Sequence, residues 1–284
     1  MKITAYPRFQ HAGSLWGPFD SRDPRNLVFS EGLEVDLRRC EFILPPAVLW
    51  CVVYPLLAKF KGTDCTLLVP ENLGVCIYLK SLGLFRILQE NGVDVDDRDI
   101  HERTDIQLVL PLTRFDTVSE VEDLANQASE TLIESGLGAP NLRPLVSETF
   151  AELSMNAVQH ANSQIGAYGL IQFYEYAHEQ RFVCVVADGG IGIRKSLENN
   201  PDLRSRVPYD WVAIELATRE RISGTGDRHR SIGLYGVAED MRKASRSLII
   251  HSGIGSMRID EQMESRAQRT RLFPGSLASA SIPS

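Results

Sequence analysis

A helix-like stretch, an acidic glycine turn and a basic glycine-rich loop carry the residues that could do chemistry here. In Glu148-Thr-Phe-Ala-Glu152-Leu-Ser-Met-Asn156, the apolar Val146, Phe150, Leu153 and Ala157 share one helical face, while Glu152 and Asn156 stack along another. A carboxylate and an amide oxygen then stand one turn apart at the edge of a buried stripe. An asparagine oxygen suits Mg2+, which keeps several waters and bridges phosphates. The carboxylate suits a base that orients or deprotonates a water attacking a terminal phosphate. The same pair also fits an ordinary solvated helix edge.

Further on, Phe182 to Val186 reads as a strand running into Ala187-Asp188-Gly189-Gly190-Ile191-Gly192-Ile193. Glycines let backbone approach a ligand closely, and a buried carboxylate at a strand end can accept a hydrogen bond from the exocyclic amine of adenine, which guanine replaces with a carbonyl. The alternative is a strand-to-helix turn with Asp188 as an N-cap. The run is not a dinucleotide fingerprint, because the acid precedes the glycines and no βαβ unit frames them. A third segment, Ser223 to Gly236, is polar and glycine-rich and enters a helix at Gly233-Leu234. Free N–H groups at a helix start suit phosphate, and Arg228 and Arg230, with Arg221 and His229 behind them, are candidate cationic donors. A solvated surface loop has the same composition.

The elements that must position these residues follow from periodicity. Apolar spacing predicts helices over Thr117 to Ser135 and Leu142 to Ala161, then strands at Ala167 to Tyr174 and Phe182 to Val186. Helices near Trp211 to Thr218 and Leu234 to Ala244 precede strands at Leu248 to His251 and Ser256 to Ile259. Upstream, a strand at Leu33 to Leu37, a helix from Pro46 through Leu57, a strand at Cys65 to Val69, helices at Val75 to Ser81 and Phe85 to Asn91 and a strand at Ile106 to Leu110 suggest a small α/β unit. Residues 1–30 hold Pro7, Gly13, Gly17, Pro18 and Pro24 without a sustained period and predict a loosely packed arm. The Ser- and Ala-rich stretch after Pro274 predicts a flexible tail, residues 276–284.

The length of 284 residues suggests two domains. A net charge of −7 argues against a broad nucleic-acid footprint. Five scattered cysteines, never paired at ligand spacing, read as core residues of a reducing compartment. The longest apolar run, Ile43 to Ala58, carries Pro45, Pro46 and Pro55 and is short for a membrane span. The first thirty residues lack the apolar core of a signal peptide. A cytoplasmic protein without a membrane partner is expected.

In their order, Glu152-x-x-x-Asn156, Asp188-x-Gly190-x-Gly192 and Gly233-Leu234 after a loop resemble the GHKL ATP-binding fold, with its Bergerat-type pocket. That resemblance implies an α/β sandwich over residues 115–275, with helices on one face of a mixed sheet and a mobile lid. It also implies ATP and Mg2+ as cofactors. By similarity, Asn156 takes the metal, Asp188 reads adenine and Glu152 is the base, while Gly190, Gly192, Ile193, Thr225, Gly226, Arg228, Arg230, Gly233 and Leu234 contact nucleotide. Ser231 stands where the family's last motif usually has its first glycine. The histidine-kinase and anti-sigma-kinase branch is the most similar, although no long helix with a phosphoacceptor histidine precedes the domain. His160 reads as a helix-packing residue.

Residues 31–111, with Val35-Asp36-Leu37 and Tyr78-Leu79-x-x-Leu82-Gly83-Leu84, are similar to STAS domains, the partners and phosphorylation targets of such kinases. Phe42-Ile-Leu-Pro-Pro-Ala-Val48, where the acceptor would lie, has neither Ser nor Thr. Three activities stay open: a slow ATPase or ATP-driven switch acting on a protein partner, a protein serine/threonine kinase acting on a STAS-like or co-encoded partner, and a non-catalytic binding module. Homodimerisation stays open too.

Overall fold

A computed structural model describes residues 2–9, 15–16, 32–97, 106–176, 179–222, 233–243, 245–261 and 266–284. The chain forms two compact units, Met1–Ile106 and Gln107–Ser284. Among the described residues no helix is long and apolar enough to cross a membrane.

The first unit is a twisted α/β layer. Strands β1 (Lys2–Ala5), β2 (Arg8–Phe9), β3 (Leu15–Trp16), β4 (Leu33–Asp36) and β5 (Phe42–Ile43) precede α1 (Pro45–Phe60), β6 (Cys65–Leu68), α2 (Leu73–Ser81), α3 (Leu84–Glu90) and β7 (Asp94–Val95). The main sheet runs β3-β1-β4-β6-β7, with β1, β4, β6 and β7 parallel and β3 antiparallel on the edge. Prolines at the first two positions of α1 cost no helical hydrogen bond and preset its φ angles. Asp36, buried at the end of β4, is held by Lys2 at 2.9 Å and Arg38 at 2.7 Å. These partners keep its carboxyl well below the usual range, the Arg38 hydrogen bond being the largest cause. The expected arm is thus corrected at its start: Lys2–Ala5 is an inner strand with Ile3 and Ala5 buried. Four residues are too few for a period to register.

The second unit begins with β8 (Leu108–Phe115), α4 (Val118–Glu134), α5 (Arg143–His160), β9 (Ala167–Tyr176) and β10 (Glu179–Asp188). There follow α6 (Gly192–Glu198), α7 (Asp210–Arg219), α8 (Gly233–Met241), β11 (Ser247–Asp260) and β12 (Gln268–Pro283). Its sheet, in the order β11-β12-β10-β9-β8, is antiparallel at every pairing rather than mixed. Phe182, Cys184 and Val186 of β10 and Ala280 and Ile282 of β12 share one core with Val146, Phe150, Leu153 and Ala157 of α5. The apolar stripe read from α5 is therefore its sheet-facing side. A capping box starts α4: Glu120 N–H donates to the Thr117 hydroxyl, and Thr117 N–H donates back to the Glu120 carboxylate.

Three sequence expectations fail here for physical reasons. The strand expected at 106–110 belongs to the second sheet, as β8 beside β9. The two late strands are one, because register shifts at Gly253 and Gly255 interrupt the pattern without ending the strand. The expected flexible tail is the end of β12, hydrogen-bonded to β10 on one side and β11 on the other. Serine and alanine there are small residues packed inside, with Ser279 at 6% and Ala280 at 0% exposure.

Deleting residues 276–284 therefore removes the strand between β10 and β11. The second unit is expected to lose its cooperative thermal transition by circular dichroism, whereas a dispensable tail would leave the transition in place.

Candidate functional site

Asp188 ends β10 and is 3% exposed. Burying an ionised carboxylate is costly unless hydrogen bonds compensate. Two do: Gly190 N–H donates to Oδ1 at 2.8 Å and Ser276 N–H to the same oxygen at 3.3 Å. Burial outweighs them and pushes the carboxyl up to about 7. Both bonds fall on Oδ1, so Oδ2 is left to the cavity that Asp188 lines. Asp188 is not a helix cap, since Ile191 occupies the N-cap of α6.

An irregularity within β12, where its register against β11 shifts, closes over this carboxylate. Gly275 has φ +120° and lies against the Asp188 carbonyl so closely that a Cβ there would collide with it. Ser252 of β11 ties the layer together: its hydroxyl donates to the Gly275 carbonyl at 3.0 Å, accepts from Ile193 N–H at 2.8 Å and lies 3.2 Å from the Ser276 hydroxyl. Strands β10, β11 and β12 and the start of α6 are thereby locked around one acidic group.

On α5, Asn156 donates through Nδ2 to the main-chain carbonyl of Glu152 at 2.8 Å, which fixes the amide plane. Its Oδ1 faces Gly233 at the start of α8, where a Cβ would come within 2.8 Å. A cavity with an empty volume of about 880 Å3, its solvent mouth included, lies between the sheet and helices α5, α6 and α8. Val186, Ile250 and Ala278 line it from the strands, and Ala157, Ile193 and Leu234 from the helices. Asp188, Asn156, His160 and Ser276 are among its polar walls. Burial pushes the His160 imidazole down, favouring the neutral ring.

Six of the residues singled out in the sequence thus share one cavity: Asn156, Asp188, Gly192, Ile193, Gly233 and Leu234. Gly190 does not line it. Its missing Cβ instead lets the chain lie on the Ala161 carbonyl at the end of α5, where Ile191 N–H donates at 2.7 Å. The Glu152 side chain is exposed and is not part of the lining. Its carboxyl is pushed up by partial burial and by the Glu148 charge. Thr225, Gly226, Arg228, Arg230 and Ser231 lie outside the described residues. Sequence reading missed Ser252, Gly275 and Ser276, and gave His160 a packing role although it lines the cavity. The β12 residues were hidden by their composition, whereas His160, one turn after Asn156, is displayed by helical spacing. Among the described residues no three His, Cys, Asp or Glu side chains converge on a metal position.

If Gly190 serves packing, Gly190→Ala is overpacked against α5. It should lose about 1–3 kcal/mol, several degrees of Tm for a unit of this size, in thermal denaturation without ligand. An unchanged Tm would return Gly190 to the ligand side.

Comparison with known protein families and with curated proteins finds no match for this chain.

Proposed function

We propose that the second unit binds Mg-ATP in this cavity, as the nucleotide-dependent part of a protein that acts on a protein partner. The observation that carries the reading is the buried Asp188, with Oδ1 satisfied and Oδ2 left to an otherwise largely apolar pocket. In this reading an adenine ring lies between the strand and helix walls, its exocyclic amine donating to Oδ2. Asn156 Oδ1, whose amide plane is fixed by the Glu152 carbonyl, would be the protein's contact to Mg2+. Bound there, the ion would supply charge to offset that of the phosphates. A missing Cβ at Gly233 leaves room for that contact beside α8.

For the use made of ATP, the placement of Glu152 favours binding over turnover. Its main-chain carbonyl positions Asn156, but its exposed carboxyl does not line the cavity. Hydrolysis with Glu152 as base requires a water at the cavity rim to be reached by that side chain. A non-catalytic ATP-binding module requires nothing further. In the first unit, the STAS resemblance assigns a docking role, since Leu44 caps α1 and Pro45 and Pro46 open it, with no hydroxyl to accept phosphate.

Calorimetry with Mg-ATP tests the pocket. Asp188→Asn is expected to weaken binding about tenfold or more, since a hydrogen bond to a charged group is worth about 1.5–3 kcal/mol, and GTP should bind poorly to the wild type. Equal affinity in both proteins removes the adenine assignment. A donor on Oδ2 selects the ionised carboxylate, so binding releases a proton wherever free Asp188 is protonated. With the free group near 7, affinity should rise with pH up to about 7 by at most about tenfold per unit and level off above it. Asp188→Asn should flatten that profile.

Glu152→Ala keeps the carbonyl that orients Asn156 and should therefore keep Mg-ATP affinity. Release of phosphate from ATP at the wild-type rate in this variant would take the base role from Glu152.

A further inference from the structure

Arg221 follows α7 by two residues and is exposed. Its guanidinium lies over the ring of Tyr235, 5.4 Å from the centroid. Both neighbours in this arrangement belong to the cavity: Ile222, next in the chain, lines it, and so does Tyr235 in the first turn of α8. The cation therefore stands beside two residues of the cavity wall. Other arginines of this region have carboxylate partners: Arg206 with Glu220 at 2.7 Å, Arg219 with Glu215 at 3.1 Å and Arg242 with Glu239 at 2.6 Å. Among the described residues, the contact seen for Arg221 is the tyrosine ring.

We infer that Arg221 is the group that reads the anionic tail of the ligand, and that Tyr235 stores and aims it. This inference rests on the nucleotide reading of the cavity and names the residue that would separate nucleoside phosphates from nucleosides. A carboxylate that is 3% exposed lines the cavity, and an exposed guanidinium stands against Tyr235 of its wall. Such a site matches a ligand with a hydrogen-bond donor at one end and negative charge at the other. A ring face attracts an exposed guanidinium only weakly. Phosphate oxygens offer charge-assisted, forked hydrogen bonds, which are much stronger. The stacked arginine is thus already desolvated on one face, and among the described residues it has no ion pair that phosphate would first have to break.

Calorimetry of adenosine, ADP and ATP with Mg2+ on the full chain tests this, using the ratio of ATP to adenosine affinity as the readout. Arg221→Ala, a change at an exposed position, should lower ATP affinity by roughly tenfold or more and leave adenosine within about twofold, collapsing the ratio. Tyr235→Phe keeps a ring face and should keep the ratio, while Tyr235→Leu should reduce it in the same direction as Arg221→Ala. An unchanged ratio in Arg221→Ala, or equal losses for adenosine and ATP, overturns the inference and leaves the adenine pocket standing. If the wild type binds neither adenosine nor ATP, the nucleotide reading fails and this inference with it.

Discussion

Burial of Asp188 is the constraint on which the second unit turns. A carboxylate at 3% exposure must have its lone pairs met by the protein or by a ligand. The protein meets one oxygen with two backbone N–H groups, from Gly190 and Ser276, some ninety residues apart in the chain. That second donor exists only because β12 returns between β10 and β11. Strand order, the β12 irregularity at Gly275 and the Ser252 hydroxyl network thus all meet at one acid at a strand end. The protonation state of that acid near neutrality is then open to whatever approaches its other oxygen.

Glycines in this region act first on packing and only through packing on the site. A side chain at Gly275 would strike the Asp188 carbonyl, one at Gly190 the Ala161 carbonyl, and one at Gly233 the Asn156 amide. Each glycine lets two backbone segments, or a backbone and a polar side chain, approach closer than any Cβ allows. Gly190 seats the turn after β10 on the end of α5, and that contact keeps Asp188 and Asn156 in one cavity. The Asp-Gly-Gly-x-Gly run is therefore a joint between sheet and helix whose geometry leaves a pocket beside it.

The legibility of these features in the sequence follows the range of the interactions that make them. Helices α4 and α5 could be read because their apolar stripes repeat within a few residues and Thr117 and Glu120 cap locally. Residues Asp188, Asn156, Gly192 and Gly233 could be read because their chemistry is unusual at their spacing. Strand β12 could not, because its serines and alanines acquire their buried status only from β10 and β11. The packing contact of Gly190 could not be read for the same reason: its partner, Ala161, lies across the fold. The antiparallel sheet also depends on pairings that no local pattern encodes.

Glu152 shows how one pairing can involve a different atom from the one its spacing points to. Its position one turn before Asn156 suggested a carboxylate acting beside a metal ligand, and the two residues do act together. The link is the main-chain carbonyl of Glu152, which accepts from Asn156 Nδ2 and turns Oδ1 toward α8. Any residue at 152 supplies that carbonyl, so the orientation of Asn156 places no demand on the carboxylate. A catalytic demand would need the side chain to reach the reacting phosphate from outside the cavity lining. Binding and turnover therefore rest on different atoms of one residue, and loss of the side chain separates them.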